Sequence, residues 1–267
     1  MKPKAFTLIE LLVVISIIIV LIAIILPALG FVREYARATK CSSNVRQLTM
    51  GLINYELNNG NFPYSMNYCK FPAPPGGYSE NITIDSFGWR WFNYLEEYSK
   101  TDLESVLKCP SRKITGKLLK SYMLSGNYGV NQSVCKKWYS SFKTGDLDEF
   151  YGSPLASTDM QYPSKTLLIS DSGYNMINWY HATEFPPGKL YNSLEDKSYI
   201  PGLSINVKRK FWSGQEDDAI NGRHMKKSVN IGFVDGHAGR KKAEELLVEK
   251  TEKGYKNRDT LWEPKRN

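Results

Sequence analysis

Contiguous enzyme signatures are missing from this sequence. It has no G-x-S-x-G, no H-E-x-x-H, no Walker-type phosphate loop and no dinucleotide fingerprint, which excludes the commonest local frameworks for acyl transfer, zinc proteolysis, phosphoryl transfer and hydride transfer. Cysteine is scarce and scattered: Cys41, Cys69, Cys109 and Cys135 form no C-x-x-C pair, so neither a zinc ribbon nor a thioredoxin-like redox motif is present. Sustained heptads are absent, which rules out a coiled-coil stalk, and there is no internal repeat. The formal net charge of +8 is spread along the chain, with short basic clusters at Lys208–Lys210, Arg240–Lys242 and the C-terminus. No zinc-finger or RNP-type motif accompanies them, so they indicate attraction to anionic surfaces and no nucleic-acid partner. Disorder is excluded as well, since 13% of the residues are aromatic and 17 are Tyr. The 267 residues leave room for one domain of roughly 200 residues, or two small ones, beyond the N-terminal run.

That run is the most distinctive feature present. From Phe6 to Leu29 it is interrupted only by Thr7, Glu10, Ser16 and Pro27. At about 1.5 Å rise per residue it spans the roughly 30 Å hydrocarbon core of a bilayer. A glutamate inside such a helix costs roughly 2.5 to 3.5 kcal/mol on insertion scales, so Glu10 requires a partner that offsets it. A secretory signal peptide, with Lys2 and Lys4 before the run and "PALGF" after it, is the competing reading. It leaves Glu10 unexplained and is long for a cleaved segment. Lys2 and Lys4 lie on one side and Arg33, Arg37 and Lys40 on the other, so charge leaves the orientation open.

Beyond Pro27 the spacing of Cys41, Val45, Leu48, Leu52 and Tyr55 predicts an amphipathic helix, with Arg37, Lys40, Arg46 and Glu56 on its other faces. Asn58, Asn59 and Gly60 stop it. In "SVNIGFVDGHAGR", Val229, Ile231 and Phe233 alternate with Asn230, Gly232 and Val234, the pattern of a strand with one better-buried face, and Asp235-Gly236 forms a tight turn. "TLLIS" from Thr166 predicts a second strand, and "KKAEELLVEK" from Lys241 a helix. Residues 71–80 and 184–189 read as loops. The expected fold is α+β, a long N-terminal helix packed on an antiparallel β-sheet.

Asp171, His181, Asp217, Asp218, His224, Asp235 and His237 are the polar residues from which a site could be built. If the intervening strand is extended, His224 and Asp235 stand about 20 Å apart and share neither a proton nor a metal. His224 is then expected to hydrogen-bond a turn and Asp235 to cap a hairpin, with Asp171, after a strand, as the best catalytic candidate. The acidic stretches "GDLDEF" (Asp146, Asp148, Glu149) and "GQEDD" (Glu216, Asp217, Asp218) match no EF-hand, and read as solvated loops with no metal or other cofactor. Trp89, Trp91, Tyr94, Trp138, Tyr139, Trp179, Tyr180 and Trp212 fill a core or line a ligand-binding face. The four cysteines of an exported chain allow three pairings, and spacing does not choose among them.

"KAFTLIELLVVISIIIVLIAIILPAL" resembles the N-terminus of type IV prepilins and type II secretion pseudopilins. The resemblance implies a leader of residues 1–5, a cut by prepilin peptidase between Ala5 and Phe6, and methylation of the Phe6 amine by the same enzyme. Ala5 departs from the glycine usual before the cut. It also implies that Glu10 faces the N-terminal amine of a neighbouring subunit, whose charge offsets the carboxylate on assembly. Five further stretches, "CSSNVRQLTMGLINYELNNGNFP", "GWRWFNYLEEY", "KCPS", "YPSKTLLISDSG" and "RHMKKSVNIGFVDGHAG", resemble prepilin-like proteins with a C-terminal H-x9-DG element. Here ten residues, Met225 to Val234, separate His224 from Asp235 and Gly236, which implies one extra residue in the turn before the strand. The implied organisation is a transmembrane segment over 6–29, a stem over 30–58 and a pilin-like domain over 59–267. The implied setting is the inner membrane, crossed once, with the domain periplasmic or extracellular after assembly. The implied partners are the peptidase and other copies of this or similar subunits, and the implied role is a non-enzymatic filament subunit. Positions shared with that family imply a Cys41–Cys109 disulfide, and with it a second bridge between Cys69 and Cys135. A membrane-anchored, non-polymerising protein with an aromatic ligand-binding face is the alternative.

Overall fold

A computed structural model describes residues 6–67, 89–95, 103–112, 127–138, 149–187, 198–209, 211 and 215–265. Ala5, Cys69, residues 71–80, Tyr139, Asp146, Asp148 and Trp212 lie outside them.

Helix α1 runs unbroken from Leu8 to Asn59 over 52 residues, through Pro27. At 1.5 Å per residue that is about 80 Å. Thr7 caps its N-terminus, and Gly60 ends it with a left-handed φ of 80°, its N–H donating to the Glu56 carbonyl. Only the second half is covered: Ala38, Cys41, Asn44, Val45, Leu48, Thr49, Gly51, Leu52 and Glu56 are buried, and every described residue before Glu34 is exposed. Arg37, Lys40 and Arg46 face solvent as the periodicity predicts. Glu56 does not. It is buried because its Oε1 accepts from the backbone N–H of Ser157 at 3.0 Å and from the Ser157 hydroxyl at 2.8 Å, a partnership no local pattern encodes.

Short strands β1 (Met66–Asn67), β2 (Trp89–Arg90) and β4 (Lys137–Trp138) make a small sheet, and α2 (Leu103–Val106) is a single turn. The main sheet has β3 (Tyr128–Asn131), β5 (Leu167–Asp171), β6 (Met176–Ile177), β7 (Ser228–Phe233) and β8 (Ala238–Lys242), in the order β6-β3-β5-β7-β8. All neighbours are antiparallel except the β3–β6 edge. A hairpin of β9 (Glu249–Thr251) and β10 (Gly254–Lys256) follows, and α3 (Glu216–Asn221) precedes β7. The chain is therefore α+β, a long helix laid on a mostly antiparallel sheet.

Both faces of that sheet are covered. Val45, Leu48 and Leu52 of α1 join Leu168, Ile169 and Val234 in one apolar core. Leu167, Val229, Ile231 and Phe233 join Trp179 and Trp262 in another on the opposite side. All six residues of β7 are buried, where the alternation predicted one better-buried face: Gly232 lies beneath Thr49 of α1, and Asn230 bonds the Asp171 carboxylate. A register shift between Leu167 and Ile169 lets β5 serve both cores.

The expected helix from Lys241 is not formed. Lys241 and Lys242 complete β8, Ala243–Leu246 makes one 3₁₀ turn, and Glu249 opens β9. Ala243, Leu246 and Val248 are pulled onto the sheet's second core, and Trp262 Nε1 donates to the Leu246 carbonyl at 3.0 Å. Those tertiary contacts override a helical propensity worth only tenths of a kcal/mol per residue, roughly. In the turn before β7, Lys226 and Lys227 take left-handed φ values of 59° and 52°.

At Gly232 helix and sheet approach closely. A Cβ there would sit 1.9 Å from Thr49 Oγ1 and 2.9 Å from Ile169 Cγ2. Replacing Gly232 with Ala should destabilise the domain by about 1 to 3 kcal/mol through overpacking. Adding Thr49→Ala should recover part of the loss, because residues in contact couple. Denaturant unfolding of the detergent-solubilised chain, followed by tryptophan fluorescence, measures both.

Candidate functional site

Two places concentrate chemistry. The first is the start of α1. Thr7 and Glu10 form a capping box: Glu10 N donates to Thr7 Oγ1 at 3.2 Å, while Glu10 Oε2 accepts from Thr7 N at 2.9 Å and from the Thr7 hydroxyl at 2.8 Å. Phe6, Leu8, Ile9 and the apolar residues that follow are all exposed, and none of the most apolar stretch of α1 is covered by the domain. By length and composition this half of the helix is a candidate membrane span.

The second place is a polar cluster buried where β5, β7 and the turn before β7 meet. Pairing of Ser170 with Ile231 brings the Asp171 carboxylate beside Asn230. Asp171 Oδ2 accepts from Asn230 N at 2.6 Å and lies 3.0 Å from His224 Nε2. Asn230 Nδ2 sits between them, 3.1 Å from Asp171 Oδ2 and 2.9 Å from His224 Nε2. Burial opposes ionisation of Asp171, but the imidazole of His224, then the Arg223 guanidinium and the Asn230 N–H, prevail and hold the carboxyl below its usual range. With Nε2 engaged by the carboxylate and the Asn230 amide, Nδ1 is the remaining ring nitrogen. That Nδ1, like Asp171 Oδ1, has no hydrogen-bond partner among the described residues.

Arg223 turns the other way. Its Nε reaches both Asp218 oxygens, at 2.9 Å and 2.8 Å, and its two terminal nitrogens donate to the carbonyls of Asn127 and Ser172. Asp218 also accepts from the Tyr199 hydroxyl at 2.6 Å. Both partners of this ion pair are fully buried. One guanidinium thus ties α3 to the segment before β3 and to the exit of β5. Burial, with Arg223 close by, pushes the Arg112 guanidinium down to about 9.

The sequence candidates do not converge on an open catalytic centre. His224 pairs with the Asp171 carboxylate instead of only bonding a turn, and both are closed off from solvent. Asp235 sits at the other end of β7, where its Oδ1 accepts from His237 N at 3.2 Å and lies 2.6 Å from His237 Nδ1, capping the hairpin around Gly236. His181 accepts from Asn178 N in a 3₁₀ turn. Asp217 is exposed on α3 and bonds Asn221. Asp218 and Glu149 are not solvated acidic loops. The first holds Arg223, and the second accepts from Trp179 Nε1 at 3.0 Å and pairs with Arg258 at 3.1 Å. Trp89, Trp91, Tyr94, Trp179 and Tyr180 are buried, and Trp138 is half-buried. The Arg223–Asp218–Tyr199 network has no sequence signal, since only the fold brings its members together.

Cys41 and Cys109 form a disulfide with Cα atoms 5.2 Å apart, fastening α1 to the segment after α2. The second bridge expected between Cys69 and Cys135 involves a residue, Cys69, outside those described. Cys135 is a free, fully buried thiol. Three potential ligand atoms, from Cys41, Cys109 and His224, lie within 4.8 Å of one another.

Replacing Asp218 with Ala leaves the Arg223 guanidinium buried without its counter-charge. The expected loss is about 3 to 5 kcal/mol, read as a fall in the denaturant midpoint of the detergent-solubilised chain.

Two family models match this chain. The prokaryotic N-terminal methylation motif matches residues 1–26, and "Protein of unknown function (DUF1559)" matches residues 31–133. No curated protein and no solved structure matches. The first match falls on the exposed apolar helix and the second on its buried continuation and the domain that it enters. With the α+β architecture, the two matches make this a type IV pilin-like chain that is similar, over residues 31–133, to the DUF1559 family.

Proposed function

We propose that this pilin-like protein is a non-enzymatic subunit of a pilus-like or type II secretion filament. The N-terminal methylation motif marks it for processing by a prepilin peptidase, and the apolar helix fits a membrane anchor. The observation that carries the filament reading is α1 itself, with half of its 52 residues seated on a domain and the other half fully exposed and apolar. Exposed apolar surface on that scale needs lipid or other subunits around it. The lipid serves before assembly and the neighbouring helices after it. The role of Glu10 follows from the same geometry. In the single chain it closes its own helix end through Thr7. Once the chain is cut before Phe6, the amine of a neighbouring subunit supplies the charge that a carboxylate in apolar surroundings requires. Before assembly the subunit crosses the inner membrane once, and after it the domain is periplasmic or extracellular.

The intact mass of the mature protein tests the processing step. It should correspond to residues 6–267 plus one methyl group, with the cut between Ala5 and Phe6 and the methyl on the Phe6 amine. A mature chain starting at Met1 or Phe31 would refute the prepilin reading.

Glutamine at position 10 separates charge from capping. Glu10→Gln keeps a side-chain acceptor for the Thr7 N–H and removes the charge. It should insert as well as the parent or better, since the charge opposes insertion, yet enter filaments poorly. Cross-linking ladders through a cysteine introduced near position 10 read the outcome. Ladders of normal length from the Gln variant would mean that the charge has no partner in a neighbouring subunit.

A further inference from the structure

We propose that the Cys41–Cys109 clamp is a redox-dependent metal site: when the disulfide is reduced, both sulfurs and Nδ1 of His224 bind one Zn²⁺ ion. Cys41, Cys109 and His224 come from three separate parts of the chain, are 0%, 5% and 3% exposed, and place their ligand atoms within 4.8 Å of one another. Two thiolates and an imidazole are a donor set that suits zinc, with a fourth position left open.

The orientation of His224 is the second observation. Its Nε2 is held by the Asp171 carboxylate at 3.0 Å, while Nδ1 is buried with no hydrogen-bond partner among the described residues. A buried ring nitrogen without a partner is unfavourable, and a bound ion would satisfy it. The order carboxylate, imidazole, metal is the one that fixes the tautomer of zinc-bound histidines and raises their basicity. Another unpartnered acceptor lies close by: Asn44, one turn along α1 from Cys41, donates from Nδ2 to the Lys108 carbonyl at 3.0 Å and leaves Oδ1 bare. Cys135, buried in the same core, is not part of the group.

The chemistry balances with a dithiol as reductant. The dithiol gives two electrons and two protons to the disulfide and becomes a disulfide itself, and the chain gains two thiols. Zn²⁺ then displaces both thiol protons, giving a bis-thiolate, neutral-imidazole site with no net charge, which suits a dry core. Disulfide and metal use the same sulfurs and exclude each other, yet both fasten α1 to the segment after α2. The clamp thus closes before the chain meets an oxidant as well as after.

The test uses the full chain in detergent, reduced with a phosphine, with Co²⁺ as optical probe and Zn²⁺ as competitor. The reduced chain should bind Co²⁺ stoichiometrically with a thiolate-to-cobalt charge-transfer band that Zn²⁺ abolishes. The oxidised chain should show no band, and Cys135→Ser should behave as the parent. Asp171→Asn should weaken binding by about 10- to 100-fold, and His224→Gln by at least as much, with the oxidised variants checked for native circular dichroism. X-ray absorption of the Zn²⁺-loaded parent gives a reading independent of any variant: two sulfurs and one imidazole nitrogen are expected. No charge-transfer band, a zinc shell without imidazole, unchanged affinity in folded His224→Gln, or a reduced chain that unfolds and is not restored by Zn²⁺ would each overturn the proposal.

Discussion

The close approach of α1 to β7 is the constraint on which the rest of the domain depends. At Gly232 only a hydrogen fits beneath Thr49, so the helix lies directly on the central part of the sheet. Thr49 tolerates this position because its hydroxyl turns back to the Val45 carbonyl at 2.7 Å. With the helix seated, Val45, Leu48 and Leu52 close one core, and each fully buried aliphatic side chain contributes about 1.5 to 3 kcal/mol. The disulfide from Cys41 fixes the same helix near the point where it leaves the domain. A rigid junction follows, with half of one helix belonging to the domain and the other half standing free of it.

Polar groups supply the specificity that apolar packing alone does not. Asp171, Asn230 and His224 bond one another, with Asp171 Oδ1 and His224 Nδ1 left over, and Arg223 joins three segments through Asp218 and two carbonyls. Adjacent residues in sequence, Arg223 and His224, therefore point into different networks. Such buried networks stabilise one arrangement strongly when complete and penalise alternatives in which any member is left unpaired. The same burial closes the Asp171–His224 pair off from solvent. The C-terminal motif's two ends, His224 and Asp235, lie at opposite ends of β7 and serve different purposes, one in the core and the other in a hairpin cap.

Where local patterns sufficed, expectation and structure agree. The amphipathic spacing from Cys41 to Tyr55, the stop at Gly60, the strands around Leu167 and Ser228 and the tight turn at Gly236 are all formed. Where they fail, a distant partner is responsible. Glu56 is buried because Ser157 meets it, and Leu246 leaves a helical pattern because Trp262 and the second core draw it in. Both strand faces are covered because the C-terminal segment folds over the side that α1 does not reach.

By itself the sequence determined the long apolar helix with Glu10 at its start, the amphipathic continuation and the α+β class. Each of these rests on residue spacing along one element or on the free energy of moving a run of side chains out of water, and both are local quantities. Only the tertiary structure decided that Asp171 meets His224, that Arg223 meets Asp218, that Cys135 stays a thiol, and that two cysteines and a histidine share one corner of the core. Those contacts depend on strand register and on how the helix lies across the sheet. A shift of one residue in register would turn every one of the strand side chains to the opposite face.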